Sequence, residues 1–185
     1  MASTVTLNTY KTDVIGLETS GLMDDITDSQ FVYLLNQAII NRHAELTRDC
    51  PSVYQKNATL TFSSAAQEVS LPSDADTDSS RSVCIFSDTN RNVLLESEMY
   101  RLFGGSVRFI TEQPSGQTYY IEYIAEPSEY DPDSALSGQT LAESVSRKAK
   151  KYIAYEILRL YFDGIQNAEV SSAGQNRLSQ ANRIA

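Results

Sequence analysis

The segment Leu141–Phe162 holds neither Gly nor Pro and consists mainly of residues that favour the α-helix. At a rise of roughly 1.5 Å per residue it would form a helix roughly 33 Å long. From Tyr152 onward only Glu156 and Arg159 are charged, so apolar and aromatic groups would point in every direction. A helix that is apolar all round must be buried all round, which one modest core cannot achieve. We therefore expect other molecules, most simply further copies of this chain, to cover part of it.

The overall composition limits the classes of function. The 185 residues suffice for one domain, with or without a tail. A net charge of −9 argues against a nucleic-acid-binding surface, which would carry a basic stripe, but it allows DNA to pass without being held. The sequence shows no secretory signal and no membrane-spanning apolar run, so we expect a soluble protein made in a cytosol. Cys50 and Cys84 stand in no metal or redox spacing, and we expect reduced thiols in or near the core.

Helical periodicity predicts two helices ahead of the long one. Apolar residues three and four positions apart indicate a first helix over Val5–Leu17. Thr27 and Gln30 have the spacing of a capping box, which predicts the start of a second helix. Pro51 should end that helix near Cys50.

The middle of the chain alternates between apolar and polar residues, as strands do. The predicted strands are residues 54–62, 68–71 and 83–86, with 93–95 pairing back, and a hairpin of 107–111 with 118–125 around a turn at 113–116. Between them, Ser97–Phe103 has the pattern of a short helix that Gly104 and Gly105 close.

This order of elements predicts an α+β fold. It consists of N-terminal helices, a small antiparallel sheet with hairpins, the long helix over residues 141–162, and an extended C-terminal arm. We expect one domain over residues 1–165. Residues 166–185, the C-terminal arm, carry too few large apolar side chains to fold alone.

Eleven tyrosines are many for this length. Tyr119, Tyr120, Tyr123 and Tyr130 follow one another too densely for a small core to take up all of them. Because tyrosine is enriched in interfaces, we expect some of the four to contact a partner.

No residue pattern indicates catalysis or a cofactor. His43 has no accompanying nucleophile motif, and phosphate-binding, dinucleotide-binding and zinc-helix patterns are absent from the sequence. Asp74, Asp76 and Asp78 alternate as at the start of a calcium loop, but the later Gly and Glu that such a loop needs are missing, which favours a solvated acidic loop. Nothing marks a carboxylate pair as buried for glycoside cleavage. We expect no enzymatic activity, no metal and no cofactor.

Residues 147–151 form the main basic cluster, with four cations in five positions. This pattern is compatible with a solvated helix face. It is also compatible with contact to an acidic loop of a neighbouring copy, such as Asp131 and Asp133 or the 74–78 segment. Direct contact with DNA is a third interpretation.

Six segments follow one another in a recognisable order. They are the helix Thr27–Leu46, the V-x-L-P segment Val69–Pro72, the strand VCIF from Val83, the segment Glu96–Leu102, the strand Tyr119–Pro127 and the helix Ser144–Leu158. This order resembles that of the head-to-tail adaptor proteins of tailed bacteriophages, including the tail tubular protein A group. The resemblance covers roughly residues 5–165 and rests on element order and local patterns rather than on an invariant motif.

The resemblance implies a structural protein of the virion neck, made in the host cytoplasm. It implies a ring, typically of twelve copies, that binds below the portal protein, extends the DNA channel and carries the tail nozzle or tube. Genomic DNA would pass through without specific binding, and no membrane would be involved. The implied portal-docking residues of the arm are Gln175, Asn176, Arg177, Leu178, Arg183 and Ile184. The implied subunit-interface residues are Arg147, Lys151, Tyr152, Tyr155, Arg159 and Phe162. The implied tail-facing or channel residues are Asp74, Asp76, Asp78, Gln113 and Ser115.

Three other interpretations remain open at this stage. The chain could be a different phage neck or tail-completion protein that never meets the portal. It could be a cell-wall-cleaving structural protein. It could also be a host-encoded binding module whose tyrosine-rich hairpin is the ligand surface.

Overall fold

The computed structural model describes residues 5–18, 21, 23–76 and 83–170, with the side chains at 144–145 and 166–170 excepted. Within these ranges it combines three α-helices with three small antiparallel sheets, which confirms the predicted α+β class. The chain divides into two units. The first, the helical unit, comprises Met1–Leu46 and Ser128–Ala185, and the second, the β unit, comprises Thr47–Pro127.

The helical unit is built from two stretches of chain that are distant in sequence. Its elements are β1 (Val5–Thr6), α1 (Leu7–Ile15), α2 (Asp28–Asp49, whose last turn enters the β unit), β8 (Thr140–Leu141) and α3 (Arg147–Val170). Strands β1 and β8 pair in antiparallel fashion. The first predicted helix therefore begins two residues late, because Val5 and Thr6 pair with Leu141 and Thr140 instead.

The predicted capping box at the start of α2 is confirmed. The Thr27 amide donates to Gln30 Oε1 at 3.1 Å, and the Gln30 amide donates to Thr27 Oγ1 at 3.2 Å. Both bonds satisfy amides that the helix itself leaves without partners. The helix ends at Asp49, shortly before Pro51, as predicted.

The prediction that the long helix begins at Leu141 is wrong. Leu141 pairs with Val5 in the small sheet, a 3₁₀ turn covers Ala142–Val145, and α3 begins only at Arg147. Ser146 ends the 3₁₀ turn in extended backbone, and its hydroxyl accepts from the Ala149 amide at 3.2 Å, which caps α3. At its other end α3 continues to Val170, eight residues beyond the predicted end.

The β unit contains two three-stranded antiparallel sheets. Its strands are β2 (Gln55–Thr61), β3 (Ala66–Ser70), β4 (Val83–Phe86), β5 (Tyr100–Phe103), β6 (Ser106–Gln113) and β7 (Thr118–Ile124). One sheet has the order β2-β7-β4 and the other the order β3-β6-β5. The predicted return of residues 93–95 is confirmed, since Leu94 forms a bridge to Phe86 and the Leu95 amide donates to the Ile85 carbonyl.

The predicted hairpin of residues 107–111 with 118–125 is wrong, although both strands and the turn exist. Strand β6 pairs with β3 and β5, whereas β7 pairs with β2 and β4. The turn between them carries the chain from one sheet to the other. It is held by the end of β2, because the Gly116 amide donates to the Phe62 carbonyl at 2.7 Å and the Phe62 amide donates to the Gln117 carbonyl at 2.9 Å.

The predicted short helix over Ser97–Phe103 is also wrong, because Tyr100–Phe103 is strand β5. Gly104 and Gly105 do not close a helix but form the two-residue turn between β5 and β6, with φ of 52° and 84°. Two consecutive residues in the left-handed region are what a tight hairpin turn of this twist requires. A Gly-Gly pair flanked by alternating residues was therefore a hairpin signal.

The inner faces of the two sheets share one core. Phe62, Phe109 and Tyr119 pack ring against ring, with centroids 4.6–6.4 Å apart. Ile85 and Ile121 are fully buried beside them. Cys84, between inward-facing neighbours on β4, is exposed, so the expectation that it lies in or near the core is wrong, while Cys50 is buried as expected.

Three of the four clustered tyrosines are taken up by the protein's own core, and one is not. Tyr119, Tyr123 and Tyr130 are buried, and only Tyr120 is partly exposed. Each buried phenol finds an acceptor. Tyr119 donates to Gln113 Oε1 at 2.7 Å, Tyr123 to Asp74 Oδ1 at 3.0 Å and Tyr130 to Glu143 Oε2 at 2.9 Å.

Candidate functional site

Two grooves border helix α3 within the helical unit, and they differ in charge. The first, which we call the basic groove, has a volume of about 300 Å³ and lies between α1 and the first two turns of α3. Its lining residues are Tyr10, Asp13, Val14, Leu17, Arg147, Lys150, Lys151 and Ala154. Three cations and a single carboxylate thus surround a floor of aliphatic side chains.

The two helices that form the basic groove are held together by a hydrogen bond, but the cations that line it lack ion-pair partners. The Tyr10 hydroxyl donates to the Lys150 carbonyl at 2.7 Å and so holds α1 against α3. Leu17 at the mouth of the groove is 51% exposed. Arg147, Lys150 and Lys151 form no ion pair with any residue that the structure describes. The groove can therefore accept carboxylates and apolar groups together.

The second groove, which we call the acidic groove, has a volume of about 510 Å³ and lies between the start of α2 and the C-terminal half of α3. Its lining residues are Asp25, Ile26, Ser29, Gln30, Tyr33, Leu34, Leu160, Tyr161 and Gly164. Most of its wall is apolar or aromatic, and Tyr33 is 64% exposed. Asp25 is the one charged residue among those of the described chain that line it.

Further carboxylates stand beside the acidic groove. Asp24 and Asp28 flank Asp25 in the chain and are exposed, although Asp28 pairs with Lys11 Nζ at 2.8 Å. The Ser29 hydroxyl donates to the Pro132 carbonyl at 3.0 Å, which brings the exposed Asp131 and Asp133 to the same helix end.

The carboxyl group of Asp131 is held in its ionised form. A hydrogen bond from the Ser134 hydroxyl, together with one from the Asp133 amide, lowers the pKa of Asp131 below its ordinary value. The segment before α2 and the 131–134 loop therefore present negative charge next to an apolar surface.

Between these surfaces, α3 is anchored by one buried carboxylate. Glu156 is 2% exposed and accepts hydrogen bonds from three side chains. Arg159 donates to both of its oxygens at 2.5 and 3.1 Å, Arg42 donates to Oε2 at 2.7 and 3.0 Å, and Asn41 donates to Oε1 at 3.1 Å. These bonds, with the one from Arg159 contributing most, lower the pKa of Glu156 to about 2. The cluster joins α2 to α3, the two helices that also border the acidic groove.

The residues predicted for a subunit interface do not all lie together. Arg147 and Lys151 line the basic groove, while Arg159 binds Glu156 and, at 2.6 Å, Asp163. Tyr155 is 62% exposed, on the side of α3 opposite the buried Ile153 and Ile157.

Tyr152 and Phe162 are both partly buried. Lys148 Nζ lies 5.4 Å from the Tyr152 ring centroid, and Phe162 meets Tyr161 edge to face. The apolar surround of α3 is thus covered only in part by its own unit.

The residues predicted for tail-facing or channel loops belong to the β unit. Asp74 is ion-paired with Lys56 at 2.6 Å, and this pairing is the largest contribution that lowers its pKa. The amide of Asp76 donates to the Ile124 carbonyl at 2.8 Å, and the Ser115 hydroxyl donates to the Ser63 carbonyl at 3.1 Å. Together with the bond from Tyr119 to Gln113, these contacts give the four residues structural partners. Asp78 lies outside the described residues.

The predicted portal-docking residues Gln175, Asn176, Arg177, Leu178, Arg183 and Ile184 also lie outside the described residues. Across the part of the chain that is described, no cluster of three or more His, Cys, Asp and Glu side chains could hold a metal ion. In that same part, no helix is long and apolar enough to cross a membrane.

Sequence reasoning missed the acidic groove and the Glu156 cluster. The signal for the groove was the run of Asp24, Asp25 and Asp28 next to an apolar helix start. The signal for the cluster was Glu156 in the largely apolar stretch 152–162, because a buried acid there needs cationic partners, Arg159 on its own helix and a cation from another element. That cation, Arg42, is 114 residues away in the sequence, and no local pattern points to it.

No protein-family model matches the chain, and a search of curated proteins found no match.

Proposed function

We propose that the chain is a structural head-to-tail adaptor of a tailed bacteriophage, which forms a ring below the portal and attaches the tail. The observation that supports this best is the pair of oppositely charged grooves beside α3. A closed ring of identical copies needs two different surfaces on each copy that complement each other. The basic groove and the acidic groove meet that requirement in charge, and both have apolar walls.

The exposed side of α3 adds to the argument. Tyr155 and Leu17 are each more than half exposed. Arg147, Lys150 and Lys151 of the basic groove form no ion pair with any described residue. Interfaces between proteins favour an apolar centre with a charged border. A contact that covered the basic groove would bury both kinds of group at once.

The contacts of the β unit weaken the binding-module alternative. That interpretation needs the clustered tyrosines at the surface as a ligand site. Tyr119 and Tyr123 instead complete the core of their own unit, with their hydroxyls satisfied internally.

The first experiment is light scattering of the purified chain, alone and with purified portal protein. We expect a small species alone and a stoichiometric ring on the portal, of about twelve copies if the symmetry follows the resemblance. A chain that ignores the portal at all concentrations would contradict the adaptor proposal. Capture of another purified neck protein in its place would favour the tail-completion alternative.

Charge reversals test the two grooves directly. Arg147→Glu with Lys151→Glu, and separately Asp24→Lys with Asp25→Lys, should each reduce assembly on the portal about tenfold or more. All four changes in one chain should recover part of the assembly, because the complementarity is then inverted rather than lost. The matched control is Arg101→Glu with Arg108→Glu, two exposed arginines of the β unit, which should have no such effect.

The arm is tested by truncation. Removal of residues 166–185 should abolish portal binding and leave the far-ultraviolet circular dichroism per residue nearly unchanged. Unchanged affinity of the truncated chain for the portal would rule the arm out as a docking element.

A further inference from the structure

The acidic groove has a chemical counterpart in the chain itself. Residues 171–185, which we call the terminal segment, contain Arg177 and Arg183 and no Asp or Glu. In a chain of net charge −9 this is a cationic stretch. Each arginine is followed directly by a branched apolar residue, Leu178 and Ile184. The segment thus carries two cation-plus-apolar pairs, and the groove offers carboxylates beside an apolar wall.

The terminal segment is also within reach of the groove. It follows Val170, the last residue of α3, and Gly164 of the same helix lines the groove. Six helical residues separate the two by roughly 9 Å. Eight extended residues, enough to reach Leu178, span up to roughly 26 Å. A return to the groove therefore needs no rearrangement of the helical unit.

We propose that the terminal segment of a free chain occupies the acidic groove of that same chain. Arg177 or Arg183 meets the carboxylates of Asp24 and Asp25, and Leu178 packs against Tyr33 and Leu34. Charge complementarity favours the acidic groove over the basic groove as the binding place, because in the basic groove a cationic segment would meet Arg147, Lys150 and Lys151.

A consequence for assembly follows, and it rests on the proposed adaptor function. While the terminal segment fills the acidic groove, the basic groove of another copy cannot bind there. A portal that captures the segment would free the groove for the next copy. The segment could not occupy its own groove and bind the portal at the same time. Rings would therefore form on the portal and not in solution.

Disulfide trapping tests the intramolecular contact on the full chain without any portal. In a Cys84→Ser background, which removes the exposed native thiol while Cys50 stays buried, Tyr33→Cys is combined with Leu178→Cys. The control pair joins Leu178→Cys to Asn8→Cys on the exposed side of α1. We expect a monomeric cross-linked product that forms about tenfold faster than with the control pair, because a docked segment has a high effective concentration.

Three outcomes are informative. Adding Arg177→Glu and Arg183→Glu should bring the rate down to that of the control pair, whereas Arg101→Glu with Arg108→Glu, the same change in net charge, should not. Equal rates for both cysteine pairs would overturn the proposal. A cross-linked dimer in place of the monomer would also overturn it, because a second copy would then supply the segment.

A separate measurement addresses the consequence for assembly. The Arg177→Glu, Arg183→Glu chain should show larger species by light scattering, at concentrations where the unaltered chain stays small. If trapping succeeds but the unaltered chain ignores the portal, the adaptor function fails and the intramolecular contact stands. If the portal binds the chain but trapping fails, the reverse holds.

Discussion

The two units of the chain differ in whether they bury charged side chains. Among the described residues, the buried carboxylates are Glu143 and Glu156, and both belong to the helical unit. The core of the β unit is built from aliphatic and aromatic groups, and its buried tyrosines place their hydroxyls at its margin. The helical unit also carries both grooves beside α3.

This difference indicates how each unit positions its elements. The β unit satisfies its inner surfaces by itself, although its outer surface exposes Phe103 and Ile110. The helical unit positions α3 through hydrogen-bonded charge and leaves part of that helix uncovered. A buried ion pair often adds little net stability, because desolvation of the charges offsets their attraction. We therefore expect mutations in the β unit to act on stability first, and those in the helical unit to act on recognition as well.

The largest expected effect comes from the β unit. Phe109→Ala removes a ring that is 3% exposed and stacked on Tyr119 at 4.6 Å. It should lower the free energy of unfolding by about 3–5 kcal/mol. Phe103→Ala is the matched control, because that ring is 75% exposed, and its effect should stay within about 0.5 kcal/mol. Urea denaturation followed by circular dichroism measures both. Equal losses of unfolding free energy in the two variants would show that the core of the β unit is not what stabilises it.

The next effect comes from the anchor of α3. Glu156→Gln leaves Arg42 and Arg159 without their shared carboxylate and should cost about 1–3 kcal/mol. The loss stays moderate because both arginines retain contact with water. Glu45→Gln, whose side chain is 44% exposed and also binds Arg42, is the control and should change little. A negligible effect of Glu156→Gln would show that packing alone positions α3.

The pH dependence of stability gives a second test of the role of Glu156. The folded pKa of Glu156, about 2, lies below its ordinary value of 4.5, so the unfolded chain binds the proton more readily. The stabilisation by this carboxylate is complete above about pH 4.5 and is lost as the pH falls towards about 2. The stability difference between the unaltered chain and Glu156→Gln should shrink over that interval. Denaturation curves at stepwise lower pH measure it, and a constant difference would contradict the assignment.

The smallest effects have opposite signs in the two units. Gly105→Ala in the β unit forces a side chain to φ of 84° and should destabilise by about 1 kcal/mol, although the space around it is open. Gly164→Ala in α3 also meets open space and should stabilise by up to about 1 kcal/mol through helix propensity. Melting temperatures of the two variants test the contrast. Equal signs would mean that local backbone preference does not decide either position.

Local signals in the sequence predicted much of the secondary structure and little of the pairing. The reciprocal bonds of Thr27 and Gln30 were readable because both partners lie within one helical turn. The alternation around Ile121 indicated a strand, but only the structure shows that Tyr119, Ile121 and Tyr123 face inward. Periodicity could not reveal that β6 and β7 join different sheets, because a tight turn between two strands looks the same whether or not the strands pair.

The candidate site was predictable only in part. The basic residues at 147–151 form a local cluster and were identified as such. The other side of the groove is formed by Tyr10 and Leu17 of α1. No sequence pattern predicts that α1 lies beside α3. The composition of α3 predicted that its own unit would not cover all of it, but which side is exposed, with Tyr155 outward, depends on tertiary packing.

The division of the helical unit into two distant stretches has a consequence during synthesis. Every strand pairing of the β unit joins residues within 47–127, whereas Tyr10 must wait for Lys150, 140 residues later. Contacts that are close in sequence form sooner than distant ones. A chain emerging from the ribosome would therefore complete its β unit while α1 and α2 still lack α3. Both grooves come into being only with α3, so under the adaptor proposal an unfinished chain lacks the two surfaces through which copies would join.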